Sequence, residues 1–373
     1  MERAAASFLE ERLTWKKLVR YSQLHEGQSI LDHSVMKSLM LKRRDPFWHL
    51  TFLVALAGFG CLLSFNPARS QQLTKLKIGY SGTGNTQYLL DLPRRQGVFR
   101  KNGLDTEIVY VTSGSLLSQA LIAGNFDVAL TRGTTPMLGK LRGSEQLIVA
   151  NYSNHFNDVF LAAPEITAVK QLKGKRIAVS RFGSGSHILT NLVLKQAGLD
   201  PQRDVTVLQI GNSAARLAAI MSRSIEGSLI SIDFVPRARR EGLHVLVDLT
   251  ESKVEYPVLS FFMMGPVIEH NRRTVKALIK SISEGVRIFQ TDAVAAKAVI
   301  KAALRTDDPE TLELTATRVG KSLEYKPLPT VAAIQTALDE LRAIDPAKVQ
   351  TAKFDDFVDL RAVRELEQEG FFK

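Results

Sequence analysis

The sequence predicts an α/β protein of two βαβαβ lobes joined by a two-stranded hinge and followed by a helical C-terminal tail. Three observations carry that expectation. First, "LKIGYSGTGNTQYLLDLPRRQGVFRKNGLDTEIVYVTSGSLLSQALIAGNFDVALT" (residues 76–131) runs in step with "KRIAVSRFGSGSHILTNLVLKQAGLDPQRDVTVLQIGNSAARLAAIMSRSIEGSLIS" (residues 175–231). Ile78 matches Ile177, Leu104 matches Leu199, Val109 matches Val207 and Asp127 matches Glu226, at offsets of 95 to 99. So steady an offset over some 55 residues means repeated architecture rather than scattered motifs. Second, two apolar extended runs, "DVFLAAPEI" (158–166) and "EYPVLSFFMMGP" (255–266), lead out of the first repeat and back again. Two such crossings make a hinge, where one would make a linker. Third, helical periodicity dominates after Pro266.

Each repeat opens on a short β-branched strand and passes through a loop of Ser, Gly, Thr or Asn into a helix ending near Gly-Leu. A second strand, a second small polar loop, a second helix and a third strand follow. Leu117, Ala120, Leu121 and Gly124 recur at i, i+3, i+4 and i+7, as do Ala214, Leu217, Ala218 and Met221, so each helix turns a small, apolar face to a sheet. Gly198 stands where a helix C-terminus needs positive φ, with Leu199 as its apolar contact. In the tail, "NRRTVKALIKSISEGVRIFQ", "DAVAAKAVIKAAL", "DDPETLELTATRVGKSL" and "TVAAIQTALDELRAID" read as amphipathic helices with Asp or Thr as N-caps. Nothing catalytic stands out there, and the tail is expected to serve packing. The expected organisation is an extension and signal peptide in 1–70, a first lobe in 74–160, a second in 161–256, and a return to the first with the C-terminal helices in 257–373.

Residues 1–70 stand apart. "KRRDPFW" is a basic region, "LTFLVALAGFGCLLSF" (50–65) an apolar run of sixteen, and "ARS" sets small residues ahead of "QQL", which predicts a secretory signal cleaved after Ser70. The run is shorter than the roughly 20 residues of a spanning helix, so a retained anchor is the weaker reading. Cys61 lacks a lipobox, and cleavage leaves a chain without a thiol. The long segment before the signal suggests a start at Met36 or Met40 instead of Met1. The whole chain carries +11; losing ten Lys/Arg and six Asp/Glu with residues 1–70 leaves 39 against 32, a net +7. A mild basic excess suits an anionic ligand or surface but is more often a solvated face.

In open α/β sheets ligands bind beyond the carboxyl ends of the strands. The loops there are "SGTGNT" (81–86), "TSGS" (112–115), "TRGTT" (131–135), "SRFGSGSH" (180–187), "GNSA" (211–214) and "SIDF" (231–234). They offer hydroxyls, amides and glycines at helix N-termini, with almost no acid or base, which suits binding of a negative group better than catalysis. The candidate ligand-binding residues are Ser81, Thr83, Gly84, Asn85, Ser113, Arg132, Thr134, Ser184, Gly185, Ser186, His187, Asn212 and Asp233. Arg132 has the fork to clamp a carboxylate or sulfonate but could equally be a surface arginine, Asp233 could take an amine or cap a helix, and Phe156 and Phe234 could stack on a ring or simply pack. The loop serines could equally be N-caps alone. Neither Gly-rich loop completes G-x-G-x-x-G, no P-loop or G-x-S-x-G occurs, and His155, His187, His244 and His270 show no ligand spacing. No enzyme activity, catalytic residue, cofactor, metal or nucleic-acid partner is therefore expected.

"LKGKRIAVSRFGSGSHILTNLVLKQAGLDPQRDVTVLQIGN" and "GVFRKNGLDTEIVYVTSGSLLSQALIAGNFDVAL" resemble the SsuA/THI5-like (NMT1-like) solute-binding proteins of ABC importers. The resemblance covers nearly all of residues 74–373. It implies the type II periplasmic binding protein fold, a Venus flytrap that closes over a small organic solute such as a sulfonate, nitrate or a pyrimidine precursor. It further implies a periplasmic monomer that delivers the solute to a membrane permease and its ATPase. The expected solute is anionic or zwitterionic. A sensor reporting to a membrane receptor is the alternative, and an enzyme on the same fold a weaker one, since the cysteine-rich iron motif of the family's pyrimidine synthases is missing. Three departures bear on the site: "IEGSL" replaces a Val-Asp-Ala, "SIDF" replaces a Ser-Pro-Pro type turn, and Pro93 falls inside the first helix. An interior proline costs about 3 kcal/mol and is expected to kink that helix and displace loop 81–86.

Overall fold

The computed structural model describes residues 72–342 and 346–373. The signal run, Cys61, the Ser70 cleavage point and the alternative starts lie outside the described residues. The first repeat forms β1 (Thr74–Tyr80), α1 (Asn85–Arg95), α2 (Val98–Lys101), β2 (Leu104–Tyr110), α3 (Gly114–Ile122) and β3 (Val128–Thr131), followed by α4 (Thr134–Leu141) and β4 (Gln146–Asn151). After β5 (Asp158–Ala162), the second repeat forms β6 (Arg176–Val179), α5 (Gly185–Gln196), β7 (Thr206–Gln209), α6 (Ser213–Met221) and β8 (Gly227–Ser231), then α7 (Val235–Arg240) and β9 (His244–Asp248). The return strand is β10 (Ser260–Met264).

Two five-stranded sheets result, ordered β2-β1-β3-β10-β4 and β7-β6-β8-β5-β9, so each repeat supplies the same three parallel strands in the same order. The register repeats as well. Ile78 lies opposite Ile108 and Val128, and Ile177 lies opposite Val207 and Gly227, which fixes the offset in the strands at 99. The counterpart of Val207 is thus Ile108, not Val109. The offset of 95 at Leu104 and Leu199 has a local cause: the second repeat lacks the four residues of α2 but adds a turn at 200–204 before β7.

Asp127 and Glu226 show the repeat at the level of single bonds. The Asp127 carboxylate accepts from the Lys77 amide at 2.7 Å and that of Glu226 from the Arg176 amide at 2.8 Å. In each case the acid's own amide donates back to the same residue's carbonyl. These bonds staple the start of the third strand to the first.

The apolar crossing runs do more than connect. "DVFLA" becomes β5, buried throughout and antiparallel to β8 and β9, while β10 lies antiparallel between β3 and β4. Strands covered on both faces read as continuous apolar runs, which is why these were so visible in sequence. The two crossings pair just outside the strands, where Tyr152, Tyr256 and Val258 amides donate to the Leu259, Asn154 and Ser153 carbonyls at 2.8–2.9 Å.

The tail forms α8 (Gly265–His270), α9 (Arg272–Thr291), α10 (Ala293–Leu304), α11 (Pro309–Ser322), α12 (Val331–Arg342), α13 (Pro346–Thr351) and α14 (Arg361–Gln368). Asp292 and Asp308 cap α10 and α11 through their side chains. Its role exceeds packing, because Asn154 at the crossing donates to Glu324 at 2.8 Å and to the Leu328 carbonyl at 2.9 Å. Pro93 does not break α1. It sits near the helix end, so only the Leu89 carbonyl loses its intrahelical donor, and Gly285 of α9 makes room for the ring: a Cβ there would come within 2.9 Å of Pro93.

Candidate ligand-binding site

Four helices begin at one place. Asn85, Gly114, Gly185 and Ser213, the first residues of α1, α3, α5 and α6, all line a cavity of about 70 Å³ between the two sheets. Two of these helices come from each repeat, as the matching loops require. By this measure of volume a water needs roughly 10–15 Å³, so the cavity takes on the order of five water-sized groups. Each N-terminus turns unpaired amides and the positive end of the peptide dipoles toward it. Such convergence makes the cavity attractive to negative charge before any side chain is considered.

Side chains extend this character. Thr83 Oγ1, Asn85 Nδ2, Tyr110 OH and Arg132 Nη1 line the cavity, are buried, and have no protein hydrogen-bond partner among the described residues. Buried polar atoms are seldom left unpaired, so these four are available to a ligand. Arg132 Nη2 donates to Asp158 Oδ2 at 2.5 Å, a pair only 17% and 6% exposed. Arg216, buried in α6, donates from Nε to Ser228 Oγ at 3.0 Å, from Nη2 to Ser213 Oγ at 3.2 Å and the Leu229 carbonyl at 3.0 Å, and from Nη1 to the Gly211 carbonyl. Burial pushes its guanidinium down to about 10, against an opposing pull from Asp158, and it stays charged at neutral pH. The lining thus holds two guanidiniums and one carboxylate.

Of the residues expected from the sequence, Ser81, Thr83, Asn85, Arg132, Ser184, Gly185, Ser186 and Asn212 line the cavity. Ser184 and Asn212 also cap α5 and α6, accepting from the His187 and Ala215 amides, so capping and lining coexist. Ser113 caps α3 from just outside the lining, and Thr134, fully buried, accepts from Tyr256 OH. His187 turns along α5 away from the cavity, where Nδ1 accepts from the Gly183 amide at 3.2 Å and burial holds the ring below the usual histidine range. It borders a separate, more open groove of about 1060 Å³ that also includes the exposed Phe182 and Val254. Phe156 stacks on Tyr256 at 4.9 Å, and Phe234 packs on the apolar core of the second sheet.

Gly84 and Asp233 meet each other across the gap between the sheets. Gly84 adopts φ 72°, and a Cβ on it would lie 2.0 Å from Asp233 Oδ2, so no other residue fits while these loops touch. That oxygen accepts from Tyr88 OH of α1 at 3.1 Å and from Ser231 at 3.2 Å. Burial raises the Asp233 carboxyl to about 6, opposed by the bonds from Tyr88 and Ser231. Gly185 is similarly tight, a Cβ there falling 2.4 Å from Arg132. The two halves are thus in direct contact around the cavity.

Two acids and bases of consequence escaped the sequence reading. Arg216 was hidden in a small-residue helix, its signal being a lone cation amid "NSAARLAAIM". Glu340 of α12 accepts from Tyr256 OH at 2.8 Å behind Arg132, and burial raises it to about 7. No local pattern marks it, because the tail reaches the crossing only in three dimensions.

Residues 92–296 match a family model described as NMT1/THI5 like. YtlA of Bacillus subtilis (strain 168), provisionally named a binding protein, is 24% identical over 305 residues, covering 76% of this chain and 90% of its own. The alkanesulfonate-binding protein SsuA from Xanthomonas axonopodis pv. citri, solved bound to MOPS, superposes with a TM-score of 0.62 at 21% identity, over 75% of this chain and 94% of that one. The periplasmic nitrate-binding protein NrtA from Synechocystis PCC 6803 gives 0.63 at 16% identity, over 80% and 89%. These structural likenesses show the periplasmic binding protein fold.

Proposed function

The chain belongs to the NMT1/THI5-like family, and from that premise we propose that it is the periplasmic solute-binding component of an ABC importer, holding a small anionic or zwitterionic organic solute between its two lobes. The observation that carries this reading is the convergence of four helix N-termini, with four unpartnered buried polar atoms, on one cavity between two sheets. The names of the neighbours, sulfonate- and nitrate-binding, point to the same kind of ligand. Secretion rests on the apolar run before Ser70; among the described residues no helix is long and apolar enough to cross a membrane.

The mechanism is closure. The paired crossings at 152–154 and 256–259 are short and flank the sheets, so rotation there moves residues 158–248, the second sheet with its helices and β5 included, as one lobe against the rest. Tyr88–Asp233 and Arg132–Gly185 contacts exist only with the lobes together. A ligand bridging both sets of helix N-termini adds its binding energy to these contacts and shifts the population toward the closed form. Released from that form, the solute passes to a membrane permease. Thermal-shift screening of sulfonates, carboxylates, nitrate, amino acids and pyrimidines against the chain from residue 71 tests the reading. At least one anion should raise the melting temperature, and Ser184→Ala with Ser186→Ala should weaken that hit about ten-fold or more. A screen in which only neutral or cationic compounds stabilise the protein would overturn it.

A further inference from the structure

The 99-residue register places Leu117 of the first repeat where the second has Arg216. Their surroundings differ in step: Gly114 and Ala129 correspond to Ser213 and Ser228, the two hydroxyls that Arg216 holds. Leu117 is wholly buried beside Gly79 and completes the first lobe with no polar atom. The fold therefore has an apolar solution for this position. Arg216 is a costlier one, because every direct partner it has among the described residues is neutral, and the nearby Asp158 is already taken by Arg132. A buried cation whose nearest carboxylate is shared with a second cation is strongly destabilising unless something compensates it.

Resting on the solute-binding reading above, we infer that Arg216 is the residue that makes this site require a negative charge: it sets two guanidiniums in the lining against the single carboxylate of Asp158, and a compact monoanionic group balances the pair. Arg216 acts partly through others. Its bonds to the Gly211 and Leu229 carbonyls and to Ser213 hold the start of α6 against the cavity, so one side chain supplies both the charge and the alignment of amides that receive the anion. A dianion would leave the site overcharged in the opposite sense, and a neutral isostere would leave the guanidinium uncompensated.

Matched probes separate charge from shape: methanesulfonate against dimethyl sulfone, and acetate against acetamide, titrated by calorimetry into wild type, Arg216→Met and Arg216→Lys. Wild type should bind the anion of a pair about thirty-fold more tightly than its neutral partner. Arg216→Met, unbranched and of similar length, should reduce that ratio to about three-fold, and Arg216→Lys should retain most of it. Should Arg216→Met fail to fold, Arg216→Gln carries the same comparison with a neutral side chain that still bonds to Ser228. An anion preference that survives in the neutral variants would leave Arg216 a structural residue and overturn this inference while the anion-binding reading stands. A wild type that binds neither anion, or does not discriminate within pairs, would overturn the reading of the site itself and this inference with it.

Discussion

The two lobes are the same construction with different contents. Strand order, register, the acid staples Asp127 and Glu226, and the side-chain caps Ser113 and Asn212 coincide at an offset of 99. The differences gather where the chain faces the cavity or where a turn relaxes. Leu117, Ala129 and Gly114 bring no polar side chain to these three positions of the first lobe, while Arg216, Ser228 and Ser213 make the same three polar in the second. The comparison teaches that the architecture is carried by positions both repeats share, and that specificity enters through positions where only one departs.

The largest test moves the second lobe's choice into the first. Leu117→Arg buries a guanidinium where Ala129 and Gly114 offer no hydroxyl and the Gly79 contact leaves no slack. The expected loss is about 4 kcal/mol or more, read by urea denaturation or as failure to fold. Adding Ala129→Ser should recover part of it. A Leu117→Arg variant of native stability would break the comparison, since it would mean the position tolerates charge without built partners.

A second test lies on the contact between the lobes. The Asp233 carboxyl is raised to about 6 when buried against Gly84 and Tyr88, whereas an unfolded aspartate titrates near 3.8. The folded state therefore binds the proton more tightly, and the associated stability is full below about pH 3.8 and lost as pH rises through 6. Linkage puts the amount at up to about 3 kcal/mol. Melting temperature should fall between about pH 4 and 6, and Asp233→Asn should flatten that part of the profile. Glu340, raised to about 7, adds a fall of the same sign at slightly higher pH that Asp233→Asn leaves in place. A profile unchanged by Asp233→Asn would mean the carboxyl is not sealed between the lobes.

Much of this was legible in the sequence because it is periodic or local. Strands, helix caps, cavity loops and the repeat itself rest on contacts within a few residues or on one fixed offset. What was illegible depends on distant partners. Pro93 reads as a kink until Gly285 is seen beneath it, and Glu340 reads as a solvated helix residue until Tyr256 meets it. Gly84 and Asp233 both stood out as polar-loop residues, but only their contact across the gap shows them as a joint between lobes rather than as cavity lining. Arg216 lay between these cases: periodicity alone put Ala214, Leu217 and Ala218 on the face toward the sheet, whereas Ser213, Arg216, Leu217 and Ile220 are the buried residues, and only the strand register of 99 sets Arg216 opposite Leu117.

The smallest test concerns a turn. Gly124 follows α3 at φ 76°, and its counterpart at an offset of 99 is Arg223, held at φ 61° after α6. A side chain at positive φ is strained by about 1–2 kcal/mol, while glycine gives back roughly half of that through the freedom of the unfolded chain. The Arg223 side chain offers little against the strain, because its pair with Glu165 is more than half exposed on both sides and such pairs are worth about 0–1 kcal/mol. Its carbonyl, which accepts from Arg176, survives the change to glycine. Arg223→Gly should thus raise stability by roughly 0.5 kcal/mol, and Gly124→Ala, where a Cβ meets nothing within 4 Å, should lower it by about 1 kcal/mol through backbone strain alone. If both substitutions moved stability in the same direction in urea titrations, the two turns would not share a conformation and the repeat would end at the helix rather than run through to the third strand.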